Sequence, residues 1–165
     1  MPVGLSDFQI SFQRKFLTQE HEFMPQICKT EEYVGAKGMK FKYTILYVEN
    51  VKETLAFYCS AFGLKQRLLH ESGDYGELDT GTTTLSFSSL ELMKNLGKSP
   101  SRAAANGPVF EIAFETDDVQ AGFDRALEAG AISVQEPEDM PWRQTIAYVS
   151  DKNGFLIEIC TPVGI

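Results

Sequence analysis

Three glutamates and two tyrosines carry the first chemical suggestion. Glu111 and Glu115 lie in an alternating run, Glu111-Ile112-Ala113-Phe114-Glu115, and Glu158 lies in a second, Leu156-Ile157-Glu158-Ile159-Cys160. On a strand every second side chain points the same way, so Glu111, Ala113 and Glu115 share a face, as do Leu156, Glu158 and Cys160. Tyr43, Ile45 and Tyr47 alternate with Thr44, Leu46 and Val48, and Thr84, Ser86 and Ser88 alternate with Leu85 and Phe87. The apolar sets demand a core. The remaining faces carry carboxylates, phenols and hydroxyls, and such a face either meets water or curls round a ligand. Carboxylates beside aromatic rings suit a cationic, partly aromatic small molecule. A close Glu111–Glu158 pair would also raise one pKa and supply a general base for proton transfer.

The elements that position these residues come as a duplicated unit. Tyr43 to Leu64 and Glu111 to Ile132 correspond at an offset of 68 residues. Each opens on an alternating strand, passes an acidic or amide turn, and continues as an amphipathic helix. Val51, Leu55, Tyr58 and Phe62 form the first helical stripe; Val119, Phe123, Ala126 and Gly130, with Leu127, form the second. Asn50 and Asp118 are N-caps by type, Asn50 with Glu53 resembles a capping box, and Gly63 and Gly130 stand where the helices should stop. Three strand segments follow each helix: Gln66–His70, Tyr75–Asp79 and Thr83–Ser88, then Ile132–Gln135, Gln144–Val149 and Phe155–Cys160. Each half reads β-α-β-β-β. Leu90–Pro108, rich in Ser, Ala, Gly and Lys, is expected to be a mobile linker or lid.

Composition bounds the function. The chain has 165 residues, 43% of them hydrophobic, which suffices for one packed domain. Its net charge of −8 repels phosphate backbones, so nucleic acid is not an expected partner. No apolar run nears the roughly 18 residues of a membrane span. Cys28, Cys59 and Cys160 form no CxxC pair, which disfavours a disulfide framework or zinc ribbon, and no secretory leader pattern opens the chain. The expected location is the cytoplasm. Residues 1–38 read as an N-terminal extension, partly helical on the Leu5, Phe8, Phe12 and Phe16 spacing with Ser6 as cap, or disordered. An alternative use of that arm is as a docking module for a partner. The two histidines, His21 and His70, read as surface or structural residues rather than ligands.

Three stretches in order resemble the vicinal oxygen chelate superfamily, which includes glyoxalase I, bleomycin- and fosfomycin-resistance proteins and extradiol dioxygenases. They are Tyr43–Val48 with ENVKETLAFYCSAFGL, then FEIAFETDDVQAGFDRALEAGA, then AYVSDKNGFLIEI. The resemblance implies an α+β fold. Two tandem βαβββ modules form a curved mixed sheet around a cavity, with module one at 39–89, a linker at 90–108 and module two at 109–165. It implies a homodimer with pockets at the subunit interface. Enzymes of the family hold a divalent metal at four positions, which fall here on Tyr43, Ser86, Glu111 and Glu158. Tyr and Ser are poor ligands, so no cofactor is expected; a divalent metal, if present, would rest on Glu111 and Glu158. The implied function is small-molecule binding or sequestration, as in the metal-free bleomycin-resistance proteins. A metal-dependent lyase or dioxygenase with a degenerate site is the alternative. The expected pocket comprises Tyr43, Tyr47, Ser86, Glu111, Glu115, Trp142, Arg143 and Glu158, and its ligand is a small molecule of cationic character.

Overall fold

The computed structural model describes residues 41–163. The expectations for residues 1–38, including His21, Cys28 and the phenylalanine stripe, lie outside the described residues. Module one comprises β1 (Tyr43–Val48), α1 (Val51–Phe62), β2 (Lys65–Leu69), β3 (Tyr75–Thr80) and β4 (Thr83–Ser89). A short helix α2 (Leu90–Asn95) follows. Module two comprises β5 (Glu111–Glu115), α3 (Val119–Glu128), β6 (Ile132–Asp139), β7 (Thr145–Ser150) and β8 (Leu156–Cys160).

The helices start and stop where their sequence signals stand. Asn50 accepts from Glu53 N at 3.1 Å and returns its amide to Glu53 Oε1 at 2.9 Å, a reciprocal cap. Asp118 accepts from Ala121 N at 2.9 Å. Gly63 ends α1 in the left-handed region at φ 68, which a residue with a Cβ adopts at a cost. The linker departs from expectation at its start. Ser89 caps α2 through Leu92 N at 2.9 Å, and Leu90 and Met93 are buried, so this part of 90–108 is packed helix.

Each module forms its own four-stranded sheet, in the orders β1-β4-β3-β2 and β5-β8-β7-β6. In both, the first strand runs parallel to the last and the other pairs are antiparallel. Leu46, Val48, Leu78, Leu85 and Phe87 from the first sheet and Ala147, Val149, Ile157 and Ile159 from the second turn to one shared core with α1 and α3. Gly76 lets α1 come close: a Cβ there would lie 2.5 Å from Leu55 Cδ1. The opposite, polar faces of the two sheets therefore point away from this core.

Polar bonds stitch the modules together inside it. Tyr58 Oη donates to Asp151 Oδ2 at 3.2 Å, and Asp151 also accepts from Asn153 N at 2.9 Å and Phe155 N at 2.8 Å. Asn153 Nδ2 donates to Thr54 Oγ1 at 3.1 Å, and Arg125 Nε to the Ala61 carbonyl at 2.9 Å. Phe62 stacks on Phe114 with centroids 4.7 Å apart. Burial and the neighbouring Asp151 carboxylate both hold the Tyr58 phenol well above its usual pKa, so it remains a donor. Removing the carboxylate orphans several buried donors at once. Asp151→Ala is expected to cost about 3 kcal/mol or more in chemical denaturation, whereas Tyr58→Phe, which leaves the turn bonds intact, should cost about 1 kcal/mol. Equal losses would show that the turn bonds of Asp151 add nothing beyond its bond to Tyr58.

Candidate functional site

The polar face of module two is acidic and internally bonded. Glu158 on β8 lies opposite Tyr148 on β7, and Tyr148 Oη donates to Glu158 Oε2 at 2.8 Å. Glu111 on β5 lies diagonally across, since β5 pairs β8 with Ala113 opposite Glu158. Desolvation first, then the charge and hydrogen bond of Glu158, raise the Glu111 carboxyl pKa. Desolvation and the same glutamate raise the Tyr148 phenol, which therefore stays protonated at neutral pH. Cys160 closes the row: burial, then Glu158, push its thiol up to about 11, so it is no thiolate nucleophile. Glu115 contributes to that rise, which places all three glutamates in one electrostatic neighbourhood. The arrangement can hold a proton between Glu111 and Glu158 and present negative charge to a ligand.

Module one presents a different face. Its floor is Thr84, Ser86 and Ser88, all buried beneath larger side chains. Tyr75 Oη lies 3.0 Å from Glu77 Oε1, to which it donates, and 3.2 Å from Ser86 Oγ. Arg67 reaches over from β2: its Nε is 3.7 Å from Glu77 Oε2 and its Nη1 is 3.4 Å from Thr84 Oγ1. Tyr43 and Ile45 on β1 stand nearly half exposed beside this floor.

The chain thus brings Glu111, Glu115 and Glu158 together, and places Tyr43 and Ser86 on the other module's face. Among the described residues no hydrogen bond or ion pair joins the two faces. Tyr47 lines a crevice of about 340 Å³ with Ile45, Val109, Phe110, Phe155 and Leu156, between β1 and the linker. It also borders a polar hollow of about 330 Å³ that includes Glu49, Arg102 and Lys152. Trp142 and Arg143 sit in the β6–β7 turn and line neither. Trp142 Nε1 donates to Gln144 Oε1 at 3.0 Å, and Arg143 adopts φ 66 there. The ion pairs among the described residues are Arg67–Glu77 and Arg102–Glu49, so Arg143 does not neutralise Glu111 or Glu158. His70 is bound locally to Ser72 in the β2–β3 turn.

The donor set does not fit a transition metal. Among the described residues no three His, Cys, Asp or Glu side chains gather where they could hold an ion. Glu158 is already committed to Tyr148, and a serine and a tyrosine stand at the two module-one positions.

Paired βαβββ modules with polar outer faces define a class, and comparison with known proteins agrees. The sequence model of the Glyoxalase/Bleomycin resistance protein/Dioxygenase superfamily matches residues 40–159. The uncharacterized protein YraH of Bacillus subtilis (strain 168) is 27% identical over 124 residues, covering 73% of this chain and 97% of that protein. A glyoxalase/bleomycin resistance protein/dioxygenase family enzyme from Burkholderia phytofirmans PsJN shares the fold with a TM-score of 0.63 at 21% identity, over 74% of this chain and 98% of that one. TioX from Micromonospora sp. ML1 does so at 0.58 and 22% identity, with the same coverage. The chain belongs to the glyoxalase/bleomycin resistance protein/dioxygenase superfamily.

Sequence reasoning missed Tyr148, Tyr75, Glu77 and Arg67. The first was within reach, because the Asp151–Gly154 turn fixes a register that sets Tyr148 against Glu158. Tyr75 and Glu77 alternate on β3 and follow from the same logic. Arg67 does not. Strict alternation would put it on the core side with Leu69, but a β-bulge between Gln66 and Leu68 turns it to the polar face.

The raised Glu111 pKa has a definite sign. A carboxyl whose folded pKa exceeds its unfolded value contributes stability below the unfolded pKa, near 4.5, and loses it as pH rises through the folded pKa. At neutral pH, charged Glu111 opposes folding. Glu111→Gln is expected to raise the melting temperature at neutral pH and to flatten part of the stability decline above pH 4.5, as followed by thermal unfolding across pH. An unchanged profile would mean that Glu111 titrates as a free carboxyl.

Proposed function

We propose that this chain is a small-molecule binding protein that sequesters a ligand without a metal, acting as a homodimer in the cytoplasm. The observation that carries the reading is the bond of Tyr148 to Glu158 beside Glu111, together with a tyrosine and a serine, Tyr43 and Ser86, at the other two family positions. A second copy of the chain would bring a module-one face against a module-two face and so enclose a cup that one copy leaves open. The Glu111, Glu115 and Glu158 side chains favour the cationic end of the ligand, with tyrosine rings for its flat surface. The Tyr148–Glu158–Glu111 row favours a second reading, metal-independent proton transfer such as isomerisation, with Glu111 as the group that takes and returns the proton.

Metal analysis of the full chain separates these from a metal-dependent lyase or dioxygenase. After incubation with nickel, manganese or zinc and desalting, well under one equivalent per chain is expected, and a tightly bound full equivalent would overturn the reading. Phenyltrimethylammonium, an aromatic cation, is expected to bind the dimer and to bind roughly tenfold more weakly to Glu158→Gln. Equal binding by the variant would remove the acidic face from the ligand site.

A further inference from the structure

The duplicated unit repeats its β-bulge but not the residue on it. In module one the register shifts between Gln66 and Leu68, with Arg67 in the bulge; in module two it shifts between Ser133 and Gln135, with Val134 there. The fold forms the bulge with either side chain, so the arginine is not a structural requirement of it. A bulge re-aims its side chain, and this one sends Arg67 from the edge strand β2 across β3 to Thr84 on β4.

The guanidinium that arrives there is under-used. It carries five N–H donors in a planar fork. Among the described residues it spends one on Thr84 at 3.4 Å and faces Glu77 at 3.7 Å, beyond hydrogen-bond length. Its side chain is 51% exposed while that of Glu77 is 12% exposed. Glu77 is therefore the buried partner that orients the arginine, and Tyr75 occupies its other oxygen. What remains is a positioned cation with free donors above a floor of buried hydroxyls.

We infer that Arg67 is a ligand-binding residue that takes an oxyanion, a carboxylate or a phosphate, on the module-one face. The inference rests on the small-molecule-binding reading above and sharpens it: a ligand whose cationic end meets the glutamates of module two and whose oxyanion meets Arg67 is a zwitterion. Guanidinium forks bind both planar carboxylates and tetrahedral phosphates in bidentate fashion.

The test uses the full chain labelled with nitrogen-15, titrated separately with sodium benzoate, inorganic phosphate and phenyltrimethylammonium chloride at constant ionic strength. Benzoate or phosphate is expected to shift the Arg67 Nε–H resonance and to saturate in the millimolar range or below; whichever saturates first names the geometry of the oxyanion. In Arg67→Gln the affinity for that probe should fall about ten- to hundredfold, and Arg67→Lys should recover part of it through charge alone. An unaltered melting temperature in both variants confirms that folding is not what was lost. Absence of a saturating Arg67 shift with both oxyanions, or equal oxyanion affinity in Arg67→Gln, overturns the inference. Phenyltrimethylammonium separates the two claims. If it binds while the oxyanions do not, the binding reading stands and the role of Arg67 falls. If the oxyanions bind and it does not, Arg67 stands and the cation preference falls.

Discussion

A single buried carboxylate holds the two halves of this protein in register. Asp151 sits 2% exposed at the β7–β8 turn, where it takes two backbone N–H groups of its own turn and the phenol of Tyr58 from the other module. Asn153 extends the bridge to Thr54. A buried carboxylate is tolerable only when its lone pairs are filled, and here they are. The cost of leaving it unsatisfied is what forbids the modules from sliding along α1. Hydrophobic contact alone would not be so exacting, because Phe62 and Tyr58 on Phe114 could slip by a side chain with modest loss.

That back-to-back packing decides where chemistry can occur. With α1 and α3 filling the space between the sheets, both apolar faces are consumed, and the polar faces point outward. The outward polar surface is thereby divided. One half is a row of glutamates with a tyrosine bonded to one of them; the other is a hydroxyl floor crossed by an arginine. The duplication gave both halves the same strand order and an equivalent first bulge, and β6 adds a second register shift between Gln135 and Glu138. Divergence at single positions, Ser86 against Glu158, Glu77 against Tyr148, Arg67 against Val134, gave them different electrical character. Three of the 23 acidic residues stand on the module-two face, and on the module-one face Glu77 stands beside Arg67.

Most of the fold was legible because it is built from local rules. Caps at Asn50 and Asp118, the left-handed stop at Gly63, the helical stripes and the alternation of β1, β4, β5 and β8 each depend on residues a few places apart. Their reading needed no knowledge of the rest of the chain. The helix at Leu90–Asn95 escaped notice because its composition resembles the linker around it, and only its docking through Leu90 and Met93 makes it a helix. The grouping of Glu111 with Glu158 was expected only through the family resemblance, which sets both at ligand positions; the pairing of β5 with β8 places them diagonally on neighbouring strands.

The sequence by itself determined the family, the paired modules and the faces on which the glutamates and tyrosines stand. Tertiary structure decided which of these side chains meet. Strand alternation assigns a face but not a distance, and it fails at a bulge, so Arg67 could not be placed before the backbone was. Helix amphipathicity likewise says that a stripe is buried but not against what. Only the packing of α1 on α3, with Tyr58 of α1 bonded to Asp151 of the β7–β8 turn, shows that within one chain the acidic face and the hydroxyl floor turn away from a common core.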